Sequence, residues 1–553
     1  MVEYENRRSR PRSRNGRRQR LAVEVAVVRR RHCLAGGAHP RMSSRRGMLR
    51  VDVCEFFSAQ GEKAMDRREF SKRSLLLGLG AAAGLTGNGV LRAQEAETAE
   101  FYTEPPKKLP VRKCDVVVAG GGTAGVVAAL AAARTGAKTI LVERKGYTGG
   151  TVTEGGTALH SFFNLWKAFP GVKKRQVVRG IPSEIVDELI KIGGCSGHAE
   201  MERRYDYDSV CTAIDTELYK LITMRMLAEA GVTMYLNTFL AGAIVKDGRV
   251  QGVIVESHGG REAVMASAFV DCTAYGDLAA AAGAEYEEPN DYAVCNSFGM
   301  ANVDIERYYN FLKEREAVGE LAWGMRDGKD HQIVRLSGHA TKISDEFAAG
   351  AREIGMSMVT TTVHDNYFMF IKINMKLPAS PTDRDTVSQA ELTLRERQYR
   401  AVQLFRKYVP GCENAFIART SPGLNIRRAR HIICDYDITH EDVIEGRHFE
   451  DDVFVYGFHD YAPRYQVANG GTYGIPYRAL CVKGLDNLLV AGMMITGDHR
   501  AHMSTRNTVS CMGQGQATGT AAALCAAGRC GTRELPYGVL RDALTRGGVY
   551  FET

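Results

Sequence analysis

Apolar and polar positions follow two rhythms along this chain, and each change of rhythm marks an element. A continuous apolar run, Val116-Val-Val-Ala119, leads into a glycine-rich break and then an apolar helix, which is followed by a second run, Lys138-Thr-Ile-Leu-Val-Glu143. Short unbroken runs of this kind predict strands buried on both faces. Ile181-Pro-Ser-Glu-Ile-Val-Asp-Glu-Leu-Ile carries Pro near its start and apolar residues at helical spacing, so a helix is predicted there. Asp215 to Ala230 reads as a second amphipathic helix stopped by Gly231, with Val232-Thr-Met-Tyr-Leu as the next strand. Ala243-Ile-Val, Val250-Gln-Gly-Val-Ile-Val and Glu262-Ala-Val-Met-Ala, separated by Asp247-Gly248 and His258-Gly-Gly-Arg, predict a β-meander. From about 287 to 465 the pattern changes to mixed helices and loops rich in Tyr, His and Arg.

The glycine-rich break has a chemical reading. In Gly120-x-Gly122-Thr123-Ala124-Gly125 the first glycine allows a tight turn, the second lets backbone approach a pyrophosphate, and the third lets helix and strand pack closely. Unpaired N–H groups at the helix start then face the phosphates. Glu143 lies 18 residues beyond Gly125, near the spacing of an acid that accepts from ribose hydroxyls, and its charge repels the 2′-phosphate of NADP. Strand, turn, helix, strand and acid in this order predict a dinucleotide site; the bland alternative is a glycine-rich turn with no nucleotide.

Further segments carry a family resemblance. Glu143-Arg144-Lys-Gly-Tyr-Thr-Gly149-Gly150-Thr151 resembles the extension found in FAD-dependent oxidoreductases related to the glutathione-reductase and succinate-dehydrogenase flavoproteins. Phe269-Val-Asp-Cys-Thr-Ala-Tyr-Gly-Asp277 is similar to the segment that returns such chains to the FAD domain, with Cys272 and Tyr275 as departures. Asp486-Asn-Leu-Leu-Val-Ala-Gly492, Arg506 and Gly513-Gln-Gly-Gln-Ala-Thr-Gly resemble the closing strand and helix, and Arg427-Arg-Ala-Arg430 resembles a family Arg-Glu-Thr-Arg element. The resemblance spans roughly 110 to 530. It implies FAD as cofactor, with contacts from Arg144, Gly149, Gly150, Thr151, Asp277, Gly492 and Arg506 beside the fingerprint residues.

The expected fold class is α/β: a discontinuous Rossmann-like FAD-binding domain with a β-meander insert (residues 110–286 and 466–530), an α+β substrate or cap domain (287–465) and a tail (531–553). Residues 94–109 form a linker. Upstream, Met65-Asp-Arg67-Arg68-Glu-Phe70-Ser-Lys72 runs into Ser74-Leu-Leu-Leu-Gly-Leu-Gly-Ala-Ala-Ala-Gly84, a twin-arginine signal with a short apolar stretch too glycine-rich to span a bilayer. Cleavage after Ala93 and a periplasmic or extracytoplasmic destination follow, with an uncleaved anchor as the alternative; membrane contact is then limited to the export machinery. Residues 1–64 carry 16 Lys and Arg against 6 Asp and Glu and read as a disordered extension upstream of a true start at Met65. The whole chain is +8, that extension +10, and the remainder therefore −2, which removes the electrostatic case for nucleic acid. Of 13 cysteines, none forms a C-x-x-C pair or metal-ligand spacing, so no metal centre is expected.

The cofactor carries the chemistry, and the protein positions a substrate carbon near flavin N5. A helix beginning near Thr505 presents its N–H groups to flavin N1. Arg506 at that start either adds charge there or binds a phosphate or caps a loop. His499 and His502, after the predicted strand end, are candidates for the base that takes a proton as hydride leaves, or are structural. Arg427 and Arg430, three apart on an assumed helix, either grip a carboxylate or sugar-like oxygens or serve a solvated surface or the pyrophosphate. His160 lies near the flavin, with or without a covalent link, and His364, His440 and His459 are weaker candidates. No second glycine fingerprint follows a strand, so the electron partner is expected to be a quinone, a cytochrome or oxygen rather than a pyridine nucleotide. The expected function is hydride transfer between a small organic substrate and the flavin at a CH–OH or CH–CH group. The alternatives are a fumarate-reductase-like C=C reductase and a non-catalytic FAD-holding subunit.

Overall fold

A computed structural model describes residues 102–552 apart from 168, 204–209 and 462–463. The chain divides into two units, Met1–Thr103 and Glu104–Thr553. The basic extension 1–64 and the twin-arginine segment 65–93 lie outside the described residues.

The second unit is built on a five-stranded parallel sheet in the order Leu488–Val490, Ala268–Asp271, Val116–Ala119, Thr139–Val142, Thr233–Tyr235. Its central strands are buried throughout, as their unbroken apolar runs require. Helices Thr123–Arg134 and Thr508–Gly528 pack together against this sheet. The approach is close: a Cβ on Gly515 would lie 2.2 Å from Ala124 O, and one on Gly519 2.1 Å from Ala128 O. Only hydrogen at those positions lets the two backbones meet. The meander forms as read, Phe239–Lys246, Arg249–Ser257 and Gly260–Met265, with Val111–Lys113 added in parallel at its edge. Its first turn is Asp247-Gly248, both at positive φ, the conformation that matches strand twist in a two-residue hairpin loop.

The second layer differs from the expectation of mixed helices and loops. A ten-stranded sheet contains, among others, Phe416–Thr420, Val294–Ala301, Tyr367–Met375, Lys329–Gly338 and Val318–Arg326. It also recruits Ala199–Arg203, Val210–Thr212 and Leu159–His160 from the segment assigned to the FAD-binding part. Bulges between Phe298 and Met300 and along Val318–Arg326 interrupt the two-residue period, which hides these strands from a pattern search. Helices Ile305–Glu314, Asp345–Glu353 and Arg384–Tyr408 share a core with the sheet through Phe298, Tyr308, Phe347, Phe368 and Phe405. Each helix is started by a side chain that accepts a first-turn N–H: Asp304, Ser344 and Asp383.

Two boundaries shift. Ile432, Ile438, Val453–Tyr456 and Phe458 belong to the core of the parallel sheet, not to that of the large sheet. Residues 531–553 do more than trail: helix Tyr537–Arg546 buries Leu540 and Leu544 completely, and Glu552 accepts from Arg175 Nε at 3.0 Å. All eleven cysteines among the described residues are free thiols.

Candidate active site

A cavity of about 510 Å³ lies between the two sheets. Gly120, Gly122, Thr123, Ala124, Glu143, Arg144, Gly150, Thr151, Gly492 and Arg506 line it, so most of the sequence-derived cofactor set converges. Gly125 and Gly149 lie behind that lining and shape it.

The three fingerprint glycines do separate work. Gly120 sits at φ +93°, and a Cβ there would fall 2.5 Å from Cys272 O. A Cβ on Gly125 would lie 1.8 Å from Gly120 O, so the third glycine lets the helix close on the loop. At Gly122 nothing comes nearer than 3.9 Å: that face is open to the cavity, as a backbone that receives a pyrophosphate must be. Gly149 N donates to Gly121 O at 2.9 Å and Thr123 Oγ1 donates to Gly149 O at 3.2 Å, which ties the second glycine loop to the first. Glu143 ends its strand with Oε2 accepting from Gly121 N at 2.7 Å and Oε1 from Lys145 N at 2.8 Å. Burial pushes its carboxyl above the usual range, against the pull of these N–H groups.

The long C-terminal helix starts three residues later than expected. His499–Thr505 is a short helix of its own, and Thr508–Gly528 begins after Asn507. No side chain caps it, and Asn507 and Thr508 line the cavity. Its first-turn N–H groups therefore remain available to an acceptor in the cavity. The open approach at Gly122, the acid at Glu143 and this uncapped start together fit FAD.

The large sheet forms the opposite wall. His160, Cys295, Arg335, Phe370, Lys372 and, from the adjoining loop, Asn425 and Arg427 face the cavity. Arg335 is 2% exposed; its Nε donates to Glu320 at 2.6 Å and its Nη1 to His160 Nε2 at 2.8 Å. Phe370 (φ +71°) and Ala274 (φ +67°) line the cavity in the left-handed region, and Ser161 (φ +78°) follows His160. Such conformations are uncommon for residues with a Cβ, most of all for a bulky one, and gather at functional sites.

Several sequence candidates lie elsewhere. Arg427 to Arg430 is not helical, so the shared-face argument fails: Arg427 reaches the cavity, whereas Arg430 pairs with Asp277 Oδ1 at 3.1 Å and Glu288 Oε1 at 3.3 Å. Asp277 is thereby engaged outside the lining, although Thr273, Ala274 and Tyr275 before it belong to it. His499 and His502 are absent from the lining as well. His499 Nδ1 is 2.6 Å from Asp291, which also pairs with the buried Arg428. His502 is fully buried, its Nε2 donating to Met493 O at 2.7 Å and its Nδ1 accepting from Tyr292 Oη at 3.0 Å. Burial, then Arg428 and Arg506, drive its pKa well down. Arg506 lines the cavity but is paired with Asp460. His364, His440 and His459 do not line it.

Sequence reasoning missed Arg335, Lys372, Phe370 and Cys295. A signal existed: Arg335 interrupts Ile333-Val-Arg-Leu, and Lys372 interrupts an otherwise apolar Phe368–Ile373. A charge inside a buried strand needs a partner or a task.

The family model of FAD dependent oxidoreductase matches residues 115–544. The chain belongs to the FAD-dependent oxidoreductase family. As a member it is a flavin enzyme with FAD as cofactor. Thiamine thiazole synthase of Aeropyrum pernix is 28% identical over 172 residues, 30% of this chain and 52% of that protein. The chain thus spans about half the length of the curated relative it matches. Among solved structures, a geranylgeranyl bacteriochlorophyll reductase-like protein of Thermoplasma acidophilum has a TM-score of 0.43 at 12% identity, covering 79% of this chain and 83% of that one. A p-nitrophenol 4-monooxygenase of Pseudomonas putida has a TM-score of 0.39 at 10% identity, covering 80% and 89%. Likenesses at these scores carry no activity to this FAD-dependent oxidoreductase.

Proposed function

We propose that this enzyme transfers a hydride between a small organic substrate and the flavin, at a CH–OH or CH–CH group. The observation that carries the reading is one continuous cavity that joins the Gly122 and Glu143 cradle to a polar wall at His160, Lys372 and Arg427. Bound FAD would supply a two-electron acceptor or donor at N5. The chain itself supplies the rest. Gly122 and the N-terminus of Thr123–Arg134 would hold the pyrophosphate, Glu143 would accept from the ribose, and the first turn of Thr508–Gly528 would offer N–H groups to negative charge on the cofactor.

Of His160, His499 and His502 only His160 lines the cavity, and with its Nε2 accepting from Arg335 it orients the wall rather than taking the substrate's proton. A guanidinium only donates, so His160 Nε2 is the unprotonated nitrogen and Nδ1 carries the hydrogen. The Met65–Ala93 segment supports twin-arginine export of the folded, FAD-loaded protein, with a quinone, a cytochrome or oxygen as electron partner. A second reading, reduction of an activated C=C, is favoured by the cationic wall, which suits an electron-poor acid. It keeps the resemblance to succinate-dehydrogenase flavoproteins within this proposal.

Anaerobic titration of the purified holoenzyme with polyols and 2-enoates tests both. Bleaching of the flavin band by a polyol establishes a dehydrogenase; reoxidation of the reduced enzyme by an enoate establishes a reductase. A protein that cannot be reconstituted with FAD overturns the reading.

A further inference from the structure

We infer that the sheet wall of this cavity is an anion subsite, in which Lys372 and Arg427 grip a carboxylate on the substrate; the inference rests on the oxidoreductase reading and names its substrate class.

Four cations face this part of the cavity: Arg335, Lys372, Arg427 and Arg506. Two are already neutralised. Arg335 is held by Glu320 at 2.6 Å, and Arg506 by Asp460. The other two are not: among the described residues no carboxylate oxygen comes within 4.0 Å of Lys372 Nζ or of the Arg427 guanidinium. Arg427 Nη1 donates to Ala293 O at 2.6 Å, which fixes the head group and leaves its other edge without a further hydrogen bond among the described residues. Lys372 Nζ stands 5.1 Å from the centroid of the Phe370 ring and has no hydrogen-bond acceptor among the described residues. Phe370, two residues before Lys372 on the same strand, itself sits at φ +71°.

The groups around Lys372 make the arrangement costly without a ligand. Burial, and then Arg427, push its pKa down; Arg335 adds to them, while Cys295 and Asp460 oppose. Asp460 is committed to Arg506. Two half-buried cations on one cavity wall, with both nearby acids engaged elsewhere, destabilise one another until an anion enters between them. A carboxylate fits the donor set, since Arg427 presents a planar fork and Lys372 a point charge. Phe370, Leu424 and Ile426 beside them give the carbon skeleton an apolar wall.

The test uses the FAD-loaded enzyme and three probe pairs: acetate with acetamide, succinate with succinamide, benzoate with benzamide. Perturbation of the flavin absorption band and calorimetry report binding. At least one acid should bind, with its amide about tenfold weaker or worse, since a lost charge-assisted hydrogen bond is worth about that factor. K372Q and R427Q should each weaken that acid by about tenfold, while K372R stays within about threefold, with flavin content reporting intact folding in every variant. The subsite is overturned if no acid binds, if the amides match the acids, or if K372Q and R427Q leave acid affinity unchanged. A holoenzyme that is bleached by a neutral polyol yet ignores all three acids sinks the anion subsite and spares the oxidoreductase reading. Failure to take up FAD sinks that reading itself.

Discussion

Arg335 donates to His160 Nε2 at 2.8 Å while Glu320 holds the same guanidinium at 2.6 Å, so one buried cation links the cavity histidine to a carboxylate on the neighbouring strand. Burial opposes the charge on Glu320, but Arg335 outweighs it and keeps that carboxyl below its ordinary range. Arg335→Leu takes a cation from beside that buried acid and should lower unfolding stability by about 3–5 kcal/mol. The double change with Glu320→Leu should recover most of that loss, because an apolar pair needs no counter-charge. Urea midpoints of the four proteins check it; a double variant as weak as the single would refute the pairing.

The fingerprint glycines should separate fold from cofactor. Gly125→Ala puts a methyl 1.8 Å from Gly120 O and should cost both FAD and thermal stability. Gly122→Ala meets nothing closer than 3.9 Å, so the apoprotein should melt within a few degrees of the parent while FAD content falls, the methyl standing where the pyrophosphate approaches. Absorbance at the flavin band and melting temperature, read on the same samples, distinguish the two.

His364 should give the stability curve an alkaline shoulder. Its hydrogen bond to Asp215 raises its pKa from 6.5 to about 9, against the cost of burial, with Asp327 adding to the rise. A histidine with a raised folded pKa stabilises fully below its unfolded value and loses that contribution as pH climbs through the folded one. The difference in melting temperature between the parent and His364→Gln should therefore be flat below pH 6.5 and shrink towards pH 9. Asp215 also starts helix Thr216–Glu229 by accepting from Glu217 N at 2.7 Å, so that helix should loosen with the histidine's charge. A difference that grows with pH would contradict this.

His502→Leu tests whether that histidine supports the wall or takes part in the chemistry. The change strands the Met493 carbonyl, while the Tyr292 hydroxyl keeps His499 O as acceptor at 3.2 Å, and should cost about 1–3 kcal/mol. Flavin bound per folded molecule should stay at one. Reduction of the flavin by substrate should survive in His502→Leu; its loss with flavin retained would return the proton to His502.

The cofactor half of the site was legible in the sequence because its chemistry is local. Gly120, Gly122, Gly125 and Glu143 owe their roles to a turn and two strands within thirty residues. On the opposite wall the sequence pointed to His160 and Arg427 but not to Arg335 or Lys372, because that wall is assembled from separate strands and a loop brought together by sheet pairing across more than two hundred residues. His499 and His502 attracted attention as a dense titratable stretch, yet their neighbours Asp291 and Tyr292 come from a distant segment and absorb them into a structural network. The large sheet escaped for a related reason, since its bulges and inward charges break the alternation by which a strand is read.

The parallel sheet takes four of its strands from residues 116–271 and the fifth from Leu488–Val490, and the helix that packs on the fingerprint helix ends only at Gly528. During synthesis, then, the ribosome releases an open four-stranded edge long before the segment that covers it exists, and an exposed edge of that kind invites mispairing. FAD has no complete berth until the last tenth of the polypeptide has emerged. A chain that stops before Leu488 would lack the fifth strand and the helix that packs on the fingerprint helix, and so would leave that edge of the sheet open.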